Sequence, residues 1–153
     1  MKPIALLELI RPLNCVMAAA GALVGYFVSI HSLEITAGSQ FAVVLAALAV
    51  FLVCAGGQSI NDYFDARVDA RKKKSKPIPS GRISANAALA YSILLFLAGI
   101  ASAYAVNQTA AALAVVFSAI LFSYSAVFAG KKYFGNYLVA LASGAAFLMG
   151  AAV

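Results

Sequence analysis

Long uncharged runs alternate with short charged breaks along the chain. No Lys, Arg, Asp or Glu occurs in the 22 residues of Pro12–Leu33, in the 48 of Ile83–Gly130, or anywhere in Tyr133–Val153. Crossing ~30 Å of hydrocarbon takes ~20 apolar helical residues, and a helix satisfies its own backbone hydrogen bonds, which lipid cannot do. The pattern predicts an all-α fold: a polytopic transmembrane helical bundle of about five spans. Residues 1–11 form a short, polar-edged lead suited to the interface. Span one covers residues 12–30, and a loop of His31, Ser32 and Glu34 closes at Gly38. Span two starts near residue 39, runs to residue 58 or beyond, and enters a charged block; Gly56-Gly57 near its end allows a kink or close packing. The 48-residue run is too long for one span. Asn107-Gln108-Thr109 divides it into span three (residues 84–106) and span four (110–129), and span five begins at Tyr133. The chain stops inside that fifth run with no flanking charge, so residues 1–153 read as the N-terminal portion of a larger transmembrane domain.

Composition agrees. The chain is 64% hydrophobic and 10% charged, with a mean hydropathy of +0.96, against about 45–50% and about 25% in soluble domains. An uncharged run of 22 residues exceeds the ~7–15 of a signal-peptide core, so the first span is retained. Cys15 and Cys54 lie inside apolar runs and read as small buried hydrophobes. The net charge of +6 matters through its placement. Lys2 and Arg11 precede span one, seven basic residues lie between spans two and three, and Lys131 and Lys132 lie between spans four and five. Five spans put all eleven on one face, which the positive-inside rule makes cytoplasmic. This distribution implies membrane topology plus an anionic ligand, not a nucleic-acid partner.

The chemistry concentrates in residues 61–82, NDYFDARVDARKKKSKPIPSGR, which hold three of the five acids and seven of the eleven bases. Asp62, Asp65 and Asp69 are spaced i, i+3, i+7, so at ~100° per residue Asp65 and Asp69 fall about 60° and 20° from Asp62 on one helical face, with Asn61 four residues before Asp65. Three like charges there repel unless a cation is bound. Mg²⁺ suits them best, because it takes oxygen ligands, keeps waters and is shared with substrate phosphates. The basic run that follows suits the phosphates themselves, Lys as point charge and Arg as bidentate fork. Pro77 and Pro79 stiffen the loop, and Gly81 frees the backbone before span three. Alternating carboxylate, metal, diphosphate and Lys/Arg would stabilise a leaving diphosphate. Basic residues between spans also simply set topology, which is the plainer reading of Lys72–Lys74.

The order Asn61-Asp62-x-x-Asp65-x-x-x-Asp69, followed by Lys76-Pro77-Ile78-Pro79-Ser80-Gly81-Arg82, resembles the first aspartate-rich motif and following loop of the UbiA superfamily of intramembrane prenyltransferases. Lys76 stands where that family usually has Arg. Tyr124, Lys132 and Asn136 resemble its Tyr…Lys…Gly-Asn pattern near the fourth span, and Arg11-Pro12 with Asn14 resembles its start of span one. The resemblance implies a bundle of roughly nine spans and Mg²⁺-dependent transfer of a prenyl group from its diphosphate to a lipophilic acceptor. It implies that Asn61, Asp62, Asp65 and Asp69 hold the metal and that the three aspartates are catalytic. Arg71, Lys76, Arg82 and Lys132 would hold diphosphate; Asn14, Tyr124 and Asn136 would contact substrate. Tyr63 and Phe64 read as packing. A second aspartate-rich motif belongs to the later half of that fold, and nothing after Asp69 here is acidic. The missing C-terminal half is therefore an expected partner, and this portion alone is expected to be inactive.

Within the superfamily, the string is most similar to archaeal members that alkylate geranylgeranylglyceryl phosphate. Aromatic and haem- or chlorophyll-type acceptors stay open. The competing classes are a CDP-alcohol phosphotransferase, whose aspartate spacing is absent, and a transporter or structural membrane subunit. A transporter would carry ionisable groups at mid-membrane depth, where these spans are bare.

Overall fold

The computed structural model describes residues 3–72, 75–128 and 134–153, all helix, turn or loop with no strand among them. Six helices follow in order: α1 (Pro3–Ile10), α2 (Pro12–Ser29), α3 (Gln40–Lys72), α4 (Ala85–Tyr104), α5 (Gln108–Ser123) and α6 (Phe134–Ala151). A π-helical turn, Tyr124–Phe128, extends α5. Among the described residues, α2, α3, α4 and α5 with its π turn are long and apolar enough to cross a membrane. The uncharged α6 has 18 residues and packs along α2, so the expected five-helix frame stands behind a short lead helix.

Local chemistry sets the breaks. Arg11 adopts a left-handed backbone at φ 46°, and Pro12 opens α2 at once. Proline cannot donate to a preceding turn but is well suited to a helix's first position, so α1 and α2 meet at a sharp joint at Arg11. Ser84 caps α4 by accepting from the Ala87 amide, and Asn107 caps α5 by accepting from the Ala110 amide at 2.8 Å. The turn expected at residues 107–109 thus tightens to a few residues, with Gln108 already helical.

The 33-residue α3 is the axis of the bundle and touches every other helix. At 1.5 Å per residue it is about 50 Å long, well beyond the ~30 Å of hydrocarbon. Its last turns therefore carry residues 61–72 out past the apolar layer. Gly56 and Gly57 let neighbouring helices approach it closely. They admit the Phe96 ring of α4 and the Leu121 side chain of α5, either of which a Cβ would meet at 2.9 Å. Ser102 of α4 donates to the Leu45 carbonyl at 3.0 Å, a polar tie between two spans. Elsewhere small residues do the joining: Gly25 of α2 and Gly150 of α6 let those two backbones touch. Phe64 packs edge-on to Tyr63 and to Phe122 of α5, as expected for packing residues.

Cys15 is buried and donates its thiol hydrogen to the Ile10 carbonyl; Cys54 is half-buried, and both are free. The outward face of the bundle is apolar, with Leu13, Val16, Met17, Phe41, Val44 and Leu94 exposed. Such a surface belongs in lipid, and the protein is an integral membrane protein.

Candidate active site

The helical spacing of the aspartates is realised, since α3 is unbroken through Lys72. The side chains nevertheless divide into two groups. Asp62 and Asp69 are buried, at 4% and 7% exposure, and both hold the ammonium of Lys76. Lys76 Nζ lies 2.9 Å from Asp62 Oδ1 and 2.5 Å from Asp69 Oδ2. The same Asp62 oxygen accepts from Arg11 Nη2 at 2.8 Å. Asp65, 60° round the helix, is half-buried and accepts from the Asn61 amide nitrogen at 3.1 Å. Burial disfavours the Lys76 ammonium, but hydrogen bonds to Asp69 and Asp62, with their charges, outweigh it, and its pKa lies above the ordinary lysine value.

The loop that delivers Lys76 is built for the task. The Ser80 amide donates to the Lys76 carbonyl, Gly81 takes φ 73°, and the Ile83 amide donates back to Pro77. Arg82, at its far end, turns outward. Its two terminal nitrogens donate to both Glu8 carboxylate oxygens at 2.7 and 2.6 Å; Nε donates to Ser80 Oγ and Nη2 also to the Ser75 carbonyl. The guanidinium holds the Glu8 carboxyl below the usual range and is itself raised by it. Ala5 and Leu9 of α1 share an apolar cluster with Ile83 and Ala88 beneath this bridge. Arg82 therefore fastens the loop to α1.

Beside the aspartates a cavity of about 340 Å³ enters the bundle. Its mouth carries Arg11, Gln58, Asn61 and Tyr124; its deeper walls include Val50, Val53, Ala114, Ala146 and Met149. From Asn61 to Val50, along α3, is about 16 Å. The volume lies within the usual range of small-molecule sites. Tyr124 reaches the mouth from the π turn, an irregularity often found at functional sites.

The other expected residues fare differently. Asn14 is exposed in the first turn of α2 and does not line the cavity. Arg71 is exposed near the end of α3. Lys132 lies outside the described residues, as does the side chain of Asn136. Arg11 and Glu8 were not among the expected site residues. The Arg11-Pro12 pair marked the joint, but nothing in the sequence signalled that it reaches Asp62, 51 residues away.

Among the described residues, no three His, Cys, Asp or Glu converge closely enough to form an all-protein metal cage. The donors are hard oxygens arranged in pairs. Mg²⁺ usually takes only one or two carboxylates, with waters and substrate phosphates completing its shell, so these residues fit that ion.

Paired acids and bases thus stand near the mouth of an apolar cavity in a helical membrane bundle. The sequence model of the UbiA prenyltransferase family matches residues 15–153. The chain belongs to that family. It is 42% identical over 149 residues to a digeranylgeranylglyceryl phosphate synthase of Methanopyrus kandleri and 45% over 145 residues to one of Methanothrix thermoacetophila. These alignments cover 97% and 95% of this chain but 53% of each relative, so the chain spans about half the length of the curated relatives it matches. A solved structure concerned with digeranylgeranylglyceryl phosphate synthase in membranes superimposes with a TM-score of 0.87 at 34% identity, over 96% of this chain and 51% of that one. A UbiA homolog from Archaeoglobus fulgidus, solved with GPP and Mg²⁺, shares the fold at a TM-score of 0.77 and 24% identity, over 94% and 53%.

Proposed function

We propose that the full-length protein carrying this chain transfers a geranylgeranyl group from its diphosphate to geranylgeranylglyceryl phosphate, forming an ether bond of an archaeal lipid. The observation that carries this reading is the charged cluster of Asp62, Asp69, Lys76 and Arg11 beside an apolar intramembrane cavity. The synthases at 42–45% identity support the choice of acceptor.

In this reading the prenyl tail lies in the cavity, between Val53, Ala114 and Met149, and the diphosphate lies over the outer turns of α3. Mg²⁺, when bound, would neutralise charge on the departing diphosphate; Asn61, Asp62, Asp65 and Asp69 would hold it. Lys76 supplies positive charge from the loop, and Arg11 supplies it from the α1–α2 joint. Arg71 and Lys132 would add charge at the periphery. The allylic C–O bond breaks and the diphosphate leaves with the electron pair. The apolar walls keep water from the cationic carbon, which the acceptor's hydroxyl oxygen attacks as it loses its proton. Tyr124 stands at the mouth, where the headgroups would meet; Asn14 and Asn136 complete the expected substrate contacts. The site faces the cytoplasm, since all eleven Lys and Arg fall on one side of the assigned spans. The later half of the polypeptide would supply the opposing wall and a second acidic motif.

The test is a transfer assay of the full-length protein with geranylgeranyl diphosphate, offering a phosphoglycerol lipid and an aromatic acid in parallel, with and without Mg²⁺. Transfer to the phosphoglycerol lipid is expected; transfer to the aromatic acid alone would replace the acceptor and keep the reaction. Asp65→Ala should abolish Mg²⁺-dependent turnover, and unchanged activity would remove this helix from the metal site.

A further inference from the structure

Lys76 does more than decorate the loop. Its ammonium reaches one oxygen each of Asp62 and Asp69, one helical face apart by two turns, and no other pair of buried carboxylates on α3 exists among the described residues. The lysine is only 19% exposed, so it sits within the acidic pair and not above it. Asp62 and Asp69 carry two negative charges, and Lys76 with Arg11 returns two positive ones. The cluster is neutral as it stands. A divalent cation brought to the same two carboxylates would meet the ammonium at close range, where like charges repel strongly in a site shielded from water. An incoming diphosphate changes this. It is a richer anion than either carboxylate, and Lys76 is carried on an irregular loop, not on the helix itself.

We propose that Lys76 is a built-in counter-ion of the Asp62–Asp69 pair, which a diphosphate draws off before a divalent cation takes its place. This rests on the reading of α3 as the metal-bearing helix. One side chain then serves two partners in turn: the acids in the free protein, the diphosphate in the loaded one. Metal alone binds weakly, diphosphate tightens it, and by linkage the metal tightens diphosphate by the same factor. The free protein thereby avoids holding a bare acidic pair, and the metal enters together with the substrate group it must neutralise.

The experiment titrates the full-length protein in detergent with Mn²⁺, read by its electron paramagnetic resonance signal, in the presence and absence of inorganic pyrophosphate. In the unmodified protein, pyrophosphate should tighten Mn²⁺ about tenfold or more, the scale of replacing one charged hydrogen bond. Lys76→Gln should bind Mn²⁺ alone about tenfold more tightly than the unmodified protein and lose most of the pyrophosphate effect. Lys76→Arg, which can still bridge both acids, should behave like the unmodified protein. Lys76→Met, which keeps the stem length without the charge, repeats the measurement if the Gln variant does not fold. Mn²⁺ affinity that is unchanged or weakened in Lys76→Gln and Lys76→Met overturns the counter-ion role. If Asp62→Asn still abolishes Mn²⁺ binding in that case, the metal-bearing helix survives without it. Mn²⁺ binding in no variant, with or without pyrophosphate, removes both.

Discussion

Lys76 and Arg82 stand six residues apart on one loop, and both read as diphosphate ligands in the sequence. The fold sends them opposite ways. Lys76 goes inward, between two buried aspartates; Arg82 goes outward, onto the half-exposed Glu8 of α1. The difference shows how one short basic segment can divide its work. Pro77 and Pro79 fix the course of the backbone, the turn at Gly81 reverses it, and the two cations end on opposite sides. One cation is held between the buried acids of α3. The other holds the loop that presents it, by a planar fork that matches both oxygens of a carboxylate.

The sharpest way to break this contrast is to neutralise each cation in turn. Lys76→Gln should lower kcat/KM for the prenyl diphosphate by about ten- to a hundredfold, the scale of losing a charged hydrogen bond. Arg82→Gln should lower it by only about a fewfold, because the loop also keeps the Ser80, Gly81 and Ile83 backbone bonds. Steady-state kinetics of the full-length protein at saturating Mg²⁺ measures both. Equal losses would mean that Arg82 leaves Glu8 for the substrate and that the division of labour is not the working one.

The parts of this arrangement that local pattern controls were legible in the sequence. Bare runs fixed the spans, and the i, i+3, i+7 spacing put the three aspartates on one face of a helix that does continue to Lys72. What stayed hidden depends on long-range packing. Arg11 meets Asp62 across 51 positions and Arg82 meets Glu8 across 74. The spacing of aspartates gives their azimuth but not which of them a loop lysine will take. The cavity is hidden for a related reason: Ala18, Ala114 and Ala146 look like any small residues of closely packed spans, and only the assembled helices turn them into walls. The π turn at Tyr124 had no sequence signal, since no Pro or Gly marks it.

A smaller effect tests the outward half of the contrast by itself. If Glu8 and Arg82 act only through each other, Glu8→Gln, Arg82→Gln and the double variant should all loosen α1 alike. Hydrogen exchange of the Leu6–Ile10 amides reads this locally. The double variant should add nothing to either single one, the mark of one shared interaction. Arg82→Gln clearly looser than Glu8→Gln, with the double variant no worse than Arg82→Gln, would mean that Arg82's bonds to Ser80 and the Ser75 carbonyl hold the loop beyond its bridge to Glu8.

The smallest expected effect is on pH. Glu8 is depressed below its ordinary value of 4.5, chiefly by its hydrogen bonds to Arg82. A carboxyl whose folded pKa is lowered contributes its stabilisation fully above the unfolded value and loses it as pH falls through the folded one. The bridge should therefore be intact at neutral pH and weaken only in acid, below the ordinary glutamate range. Arg82 stays protonated throughout, so Glu8 alone sets the step. The α1 amides should exchange at a steady rate down to about pH 5 after correction for intrinsic chemistry, then faster below it. Glu8→Gln should lack that step, because its amide does not titrate. A step that persists in Glu8→Gln would assign the acid response to groups other than the Glu8–Arg82 bridge. The outward bridge would then be a bystander to that response.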